Sequence, residues 1–157
     1  TLESENVEFK YQESDVVEFC KQLLLSLNFA DSSENHFRFA SSLESYVAKV
    51  EVQYLQQVIL NLLFNADKFT KQGTITLEVS VNESFIEFAV ADTGCGIPQE
   101  KQQVVFERFI KLNDFAQGTG LGLSICKLII QKWGGEIWVD PAYSKGARFV
   151  FTHPIVK

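Results

Sequence analysis

The stretch TITLEVSVNESFIEFAVADTGCGIP, residues 74–98, predicts a two-stranded hairpin that leads into a glycine-rich turn. Apolar and polar residues alternate through the first strand, with Ile75, Leu77 and Val79 on one face, as in a half-buried strand. The polar residues 82–84 predict the turn of the hairpin. The second strand, 85–92, is apolar enough to be buried on both faces, yet it ends in the carboxylate of Asp92. The hairpin is therefore predicted to place one acid at the end of an otherwise apolar layer.

Helices and strands are predicted to mix along the rest of the chain without a regular strand–helix–strand rhythm. The predicted fold class is α+β, with helices packed on one face of a mixed sheet in a single domain over residues 1–157. Asp15 followed by Glu18 predicts a helix start, and Gly134 with Gly135 predicts a helix end. The predicted helices are 15–28, 51–69, 100–112 and 121–133, and the predicted strands are 7–14, 36–41, 74–81, 85–92, 136–140 and 147–153.

Composition narrows the class of protein. The chain has 157 residues, of which 46% are hydrophobic and 22% charged, which is typical of one globular domain rather than a disordered chain. The net charge of −6 argues against nucleic acid as a partner. The three cysteines form no CxxC pair, so a zinc site is not expected. No apolar stretch of the sequence approaches the roughly 20 residues that a membrane-spanning helix needs. The chain begins at Thr1 without a signal-peptide pattern, which favours a piece of a longer protein.

A polar stripe runs along the predicted helix 51–69. Asn61, Asn65 and Lys68 are spaced i, i+4 and i+7, which places them within a narrow arc of the helix surface. Amide oxygens suit a hard cation such as Mg²⁺, and a lysine suits a phosphate. The alternative is that the two amides only cap neighbouring loops. The inner stripe of the same helix is predicted to consist of Leu55, Ile59, Leu62 and Ala66.

The turn after the second hairpin strand, DTGCGIP, combines an acid with glycines. We expect the carboxylate of Asp92 to lie at the floor of a pocket and to need a donor, such as the exocyclic amine of a purine. Gly94 and Gly96 would let the backbone approach a flat ligand, because a Cβ would stand in the way. Ile97 and Pro98 would close the loop. Taken alone the pattern is weak, since Asp-Gly turns after strands are common.

A second glycine-rich stretch, GTGLGLSI at 118–125, precedes a predicted helix. A glycine-rich entry to a helix N-terminus is a natural phosphate cradle, but a mobile hinge is equally compatible with Gly118, Gly120 and Gly122. The spacing matches neither a dinucleotide fingerprint nor a GxxxxGK[ST] phosphate loop.

The order of these motifs carries a resemblance. NxxxNAxKF, DxGxGIP, FERF, GTGLGLSI and GARFVF follow one another between about Glu51 and Pro154. This series resembles the catalytic ATP-binding domain of sensor histidine kinases, within the superfamily of gyrase, chaperone, histidine kinase and mismatch-repair ATPases. The resemblance implies the Bergerat fold, a two-layer α/β sandwich with a mixed sheet of about five strands under three main helices.

The resemblance also implies roles for individual residues. Asn65 would ligate Mg²⁺, Asp92 would hold the adenine amine, and Phe106 and Phe109 would anchor a lid over the nucleotide. The implied catalytic residues are Asn61, Lys68 and Lys111. The implied nucleotide-binding residues are Asn61, Asn65, Lys68, Asp92, Gly94, Gly96, Ile97, Phe109, Gly118, Thr119, Gly120, Leu121, Gly122, Leu123 and Thr152, within the segments 57–69, 92–98, 105–125 and 146–152.

The short lid segment and His153 depart from the pattern of the sensor histidine kinases. The lid segment between FERFIKLN and GTG is only DFAQ, so Arg108 and Lys111 would be the nearest cations for a γ-phosphate. His153 stands where an apolar residue is usual, and a histidine at a strand end favours a structural role. The hydrolases of the superfamily place a glutamate, as general base, where this chain has Asn61. Transfer of the phosphoryl group to a protein nucleophile is therefore expected rather than hydrolysis.

The implied activity is transfer of the γ-phosphoryl group of Mg-ATP to a histidine on a separate dimerisation/phosphoacceptor domain, with a response-regulator receiver domain downstream. Neither His36 nor His153 lies in a helical setting suited to a phosphoacceptor. A monomeric cytoplasmic domain is expected, without nucleic acid or direct membrane contact, in a parent protein anchored in the inner membrane. The alternatives are a serine protein kinase of the anti-sigma type and a non-catalytic ATP-binding module.

Overall fold

A computed structural model describes residues 8–27, 34–102, 104–106 and 121–155, with only the backbone of Leu121. Within these ranges the chain forms three α-helices, seven strands and two short 3₁₀ turns. The helices are α1 (Val16–Leu25), α2 (Val52–Phe69) and α3 (Leu121–Lys132). The strands are β1 (Gln12–Asp15), β2 (His36–Ser41), β3 (Val47–Val50), β4 (Thr74–Val81), β5 (Phe85–Asp92), β6 (Ile137–Val139) and β7 (Arg148–Pro154).

The main sheet has five strands in the order β2-β4-β5-β7-β6. β2 pairs with β4 in parallel, and the other three pairs are antiparallel. The sheet is therefore mixed and the fold is an α+β sandwich, as predicted. The hairpin of β4 and β5 lies in the centre of the sheet, which is why its apolar pattern is the strongest in the chain. β1 and β3 form a separate antiparallel pair.

The core lies between the helices and one face of this sheet. The predicted inner stripe of α2 is confirmed, because Leu55, Ile59, Leu62 and Ala66 are all buried. On the sheet side Phe88 of β5 and Phe151 of β7 are fully buried and stack with ring centroids 4.8 Å apart.

The helix ends follow the predicted capping. The side chain of Asp15 accepts a hydrogen bond from the backbone N–H of Glu18 at the start of α1. After α3, Gly134 adopts a φ of +92°, and the N–H of Gly135 donates to the carbonyl of Ile130. Both glycines thus satisfy the end of the helix, as expected for left-handed C-caps.

Three elements differ from the prediction. The described part of the predicted helix 100–112 forms two 3₁₀ turns, Gln99–Lys101 and Val104–Phe106. The first turn starts directly after Pro98, and the adjacent apolar residues Val105 and Phe106 are buried together rather than along a helical stripe. The first strand is shorter than predicted, because Phe9 and Tyr11 pack on other aromatic rings ahead of β1. Strand β3 was not predicted, since it has four residues and directly precedes α2.

No helix within the described ranges has the length and apolar character needed to cross a membrane.

Candidate functional site

A cleft opens where β5 ends, between that strand and the last turns of α2. It holds about 400 Å³, counting the solvent-filled space at its mouth. Its walls are mostly apolar, and its polar side chains include the amide of Asn65 and the carboxylate of Asp92. The lining residues are Asn65, Ala66, Phe69, Asp92, Cys95, Gly96, Ile97, Pro98, Ala147 and Phe149.

Asp92 is the buried acid of the cleft, with 3% of its surface exposed. Its Oδ1 atom accepts two backbone hydrogen bonds, from the N–H of Gly94 at 2.9 Å and from the N–H of Ala147 at 3.0 Å. Its Oδ2 atom has no hydrogen-bond partner among the described residues. Burial raises the pKa of the Asp92 carboxyl, and the two backbone N–H groups oppose that shift. One fixed oxygen and one free oxygen make this carboxylate an oriented acceptor.

Asn65 is the second polar group of the cleft. It is half-buried on α2, and its amide has no hydrogen-bond partner in the described part of the chain. The alternative that Asn65 only caps a neighbouring loop therefore finds no contact to support it. A half-buried amide without a partner, in the same cleft as a free carboxylate oxygen, suits a cation or a polar ligand.

The other two residues of the predicted stripe lie outside the lining of the cleft. Asn61 is half-buried, and its Nδ2 atom lies 3.6 Å from the thiol sulfur of Cys126, which connects α2 to α3. Lys68 is exposed in the last turn of α2. The spacing thus placed the three side chains on one helix, but only Asn65 faces the cleft.

Gly94 and Gly96 must each be glycine, but for different structural reasons. A Cβ at Gly94 would lie 2.1 Å from the backbone oxygen of Phe69, so packing of the chain on itself already requires a glycine there. Gly96 lines the cleft with a φ of +73°, a backbone conformation that favours glycine. The predicted role of Gly94 in shaping a ligand wall stays a prediction.

Gly146 is absent from the predicted site residues, although it lies within the predicted segment 146–152. A Cβ at Gly146 would lie 2.2 Å from the backbone oxygen of Asp92 and 2.6 Å from its Oδ1. The glycine lets the start of β7 press against the acid, so that Ala147 can donate to it. The GARFVF motif was the available sequence signal for this contact.

Thr152 and Leu123 are not brought to the cleft. Thr152 lies four residues beyond Arg148, about 13 Å along β7, and its hydroxyl accepts from the N–H of Glu136. Leu123 is buried in the core, with 6% exposure. Ile97 does line the cleft, and its predicted role in nucleotide binding stays a prediction. The predicted residues Phe109, Lys111, Gly118, Thr119 and Gly120, together with Arg108, lie outside the described residues, as does the side chain of Leu121.

Gly122 lies in the first turn of α3, and a Cβ built there would meet no atom of another described segment within 4 Å. Phe106, predicted to anchor a lid, is buried and contacts Phe149 edge to face, with centroids 5.9 Å apart. Since Phe149 lines the cleft, Phe106 supports the apolar wall from behind.

A comparison with known families decides the classification. Residues 51–157 match the family described as histidine kinase-, DNA gyrase B-, and HSP90-like ATPase. The chain belongs to this ATPase family. The matched region contains every described residue that lines the cleft.

Curated relatives of this ATPase domain are sensory kinases. The chain is 41% identical over 109 residues to the adaptive-response sensory kinase SasA of Gloeothece citriformis, which covers 67% of this chain and 28% of that protein. It is 32% identical over 162 residues to the sensor histidine kinase WalK of Bacillus subtilis, which covers 98% of this chain and 26% of that protein. The chain thus spans only about a quarter of the length of these relatives.

Solved structures agree with the fold. The catalytic domain of histidine kinase ThkA, in a nucleotide-free form, superposes with a TM-score of 0.82 at 27% identity, covering 93% of this chain and 96% of that one. Full-length ShkA in complex with AMPPNP superposes with a TM-score of 0.88 at 28% identity, covering 99% of this chain and 33% of that one. The prediction of a histidine kinase catalytic ATP-binding domain is confirmed.

Proposed function

We propose that this domain binds Mg-ATP and transfers the γ-phosphoryl group to a histidine of a separate dimerisation/phosphoacceptor domain. The observation that carries the proposal is the free Oδ2 atom of Asp92 in an apolar cleft. A carboxylate oxygen accepts a hydrogen bond from the exocyclic amine of adenine. Phe69, Ile97 and Phe149 provide apolar surface for the flat faces of the base.

Asn65 is the proposed Mg²⁺ ligand. Its amide faces the same cleft as Asp92 and has no partner among the described residues, and amide oxygens are suitable ligands for this cation. When bound, Mg²⁺ neutralises charge on the phosphate oxygens. Asn61 and Lys68, one turn away on either side of Asn65, are proposed to lie near the phosphates. Lys111 and the glycines at 118–122 are proposed to complete the phosphate side.

Asn61 is the residue that favours phosphoryl transfer to a histidine over hydrolysis of ATP. An amide cannot act as a general base, so this position does not activate a water molecule. An imidazole nitrogen of the acceptor histidine has its own lone pair. It would form the N–P bond as the bond from the γ-phosphorus to the bridging oxygen breaks, leaving ADP. The domain then needs only to position the phosphate.

The wider partners are proposals as well. The names of the relatives as sensory kinases support a response-regulator receiver domain as the downstream partner. We propose that the isolated domain is a cytoplasmic monomer, and that the parent protein is anchored in the inner membrane.

Calorimetric titration with ATP and Mg²⁺ tests the base-reading role. Asp92→Asn puts a donor where the adenine amine needs an acceptor, so affinity for ATP should fall by about tenfold or more. Unchanged affinity in a folded variant would remove Asp92 from this role.

A further inference from the structure

The hydroxyl of Tyr143 contacts the acid of the cleft from outside it. Tyr143 lies in the loop between β6 and β7, and its hydroxyl donates a 2.8 Å hydrogen bond to the backbone oxygen of Asp92, 51 residues away in sequence. The side chain is half-buried and does not line the cleft. It therefore acts on Asp92 without reaching a ligand.

The backbone of Asp92 is held at two atoms. Its N–H donates to the carbonyl of Ala147 at 2.9 Å, and its carbonyl accepts from Tyr143. With Oδ1 accepting two further bonds, Oδ2 is the polar atom of Asp92 left for a ligand. A hydrogen bond to a ligand depends strongly on angle. The strength of a hydrogen bond to Oδ2 therefore depends on how rigidly the backbone at the end of β5 is positioned.

The loop that carries Tyr143 is itself anchored. Arg148 forms ion pairs with Asp140 at 2.9 Å and with Glu78 at 3.0 Å. Glu78 belongs to β4, two strands away from β7 in the sheet, so Arg148 bridges across β5. The Asp140 carboxylate also accepts from the N–H of Ala142. Tyr143 is therefore presented from a loop tied to both neighbours of the strand that it contacts.

We propose that Tyr143 is a positioning residue for nucleotide recognition: its hydroxyl fixes the end of β5 so that Oδ2 of Asp92 meets the adenine amine. The inference rests on the proposed function of Asp92. It assigns part of the preference for adenine to a loop outside the cleft. The nucleotide contact itself remains with Asp92.

The test compares ATP with purine riboside triphosphate, which lacks the amine, by calorimetry with Mg²⁺. Wild type should prefer ATP. Tyr143→Phe keeps the ring and removes only the hydroxyl, so the preference for ATP should shrink about threefold to tenfold, while affinity for purine riboside triphosphate stays the same. In an Asp92→Asn background the same change should have no further effect on ATP affinity.

Tyr46→Phe is the matched control. Tyr46 is half-buried beside β3, and its hydroxyl has no partner among the described residues. This variant should keep the wild-type preference. The thermal unfolding curve of each variant is measured first, and the titrations are run at a temperature at which all variants are folded.

The outcomes separate the inference from the function on which it rests. Equal binding of both nucleotides by wild type would overturn the role of Asp92 and with it the inference. If wild type prefers ATP and Tyr143→Phe retains the full preference, the positioning role is wrong and Asp92 keeps its role. Equal weakening of both nucleotides would show that the hydroxyl only stabilises the fold, which also overturns the inference.

Discussion

The backbone N–H of Glu51 donates a 3.3 Å hydrogen bond to Nε2 of His153, which joins the start of α2 to the end of β7. The other ring nitrogen, Nδ1, lies 2.7 Å from the carbonyl oxygen of Pro154. An N–H can only donate and a carbonyl can only accept, so the neutral ring with its proton on Nδ1 satisfies both partners. The ring is fully buried, with Trp133 at 4.6 Å and Tyr11 at 5.9 Å between centroids. These contacts agree with the structural role predicted for this histidine.

Stability is predicted to depend on the protonation of His153. Burial lowers its pKa, although Pro154 and Glu51 oppose the shift. Because the folded pKa lies below the unfolded value of about 6.5, the contribution of the neutral ring is complete above that pH. This contribution to stability is lost as the pH falls from the unfolded pKa through the lower, folded pKa.

Urea unfolding between pH 7.5 and 5 measures this dependence. His153→Gln offers an acceptor without a titrating group, so its unfolding free energy should fall less over this range than that of wild type. The same pH slope in both proteins would rule out His153 as its source.

Steric contact at Gly94 is predicted to make this position intolerant of any side chain. Gly94→Ala brings a Cβ to 2.1 Å from the oxygen of Phe69 and should lower the unfolding free energy by about 1–3 kcal/mol, as for other overpacked sites.

Gly122→Ala is the matched control for Gly94→Ala. No atom of another described segment lies within 4 Å of its Cβ position, and alanine in a helix gains up to about 0.5–1 kcal/mol over glycine. The two changes should therefore have opposite signs in urea unfolding. A loss at Gly122 as large as at Gly94 would contradict the steric account.

Asn65 is predicted to contribute to nucleotide affinity through the metal. Asn65→Ala should lower the affinity for ATP strongly with Mg²⁺ present and only slightly in EDTA, because the loss of a metal ligand matters only when the cation is bound. Calorimetric titration under both conditions measures the difference. Gln56→Ala removes an exposed amide from the same helix, outside the predicted site segment, and should change neither value. Equal losses for Asn65→Ala in both conditions would make it a packing residue.

ATP affinity is predicted to fall as the pH falls towards the raised pKa of Asp92. Protonation removes the negative charge and places a proton where the adenine amine must donate, so ATP binding and proton binding compete. Titrations at a series of pH values should show this loss in wild type, while Asp92→Asn should be nearly independent of pH. Wild-type affinity that is flat down to the onset of unfolding would contradict the competition.

Much of the fold was predictable because local pattern and burial agree. The alternation of Ile75, Leu77 and Val79 and the inner stripe of α2 both face the core. Strand β3 lacked such a signal, because Val47 and Lys49 are exposed and the strand is only four residues long. The described part of the predicted helix 100–112 forms 3₁₀ turns instead, with Val105 and Phe106 buried as neighbours.

Site residues were predictable where one short segment contains both the residue and the neighbours that place it. Asp92 and Gly96 lie in one turn, and the spacing of Asn65 follows from one helix. Tyr143 could not be found in this way, because its contact with Asp92 joins two segments 51 residues apart. Thr152 shares β7 with residues at the cleft, and only the register of the strand shows that it lies too far along.

Labelling with γ-labelled ATP tests most directly the proposed transfer of the phosphoryl group from ATP to a histidine of a separate domain. The chain is incubated with Mg²⁺, with and without a dimerisation/phosphoacceptor domain supplied as a separate polypeptide from the same gene. We expect no label on the chain alone, and label on the added domain that is lost in acid and retained in base, as for phosphohistidine. Base-stable label on the chain alone, or base-labile label on a serine, would contradict the account.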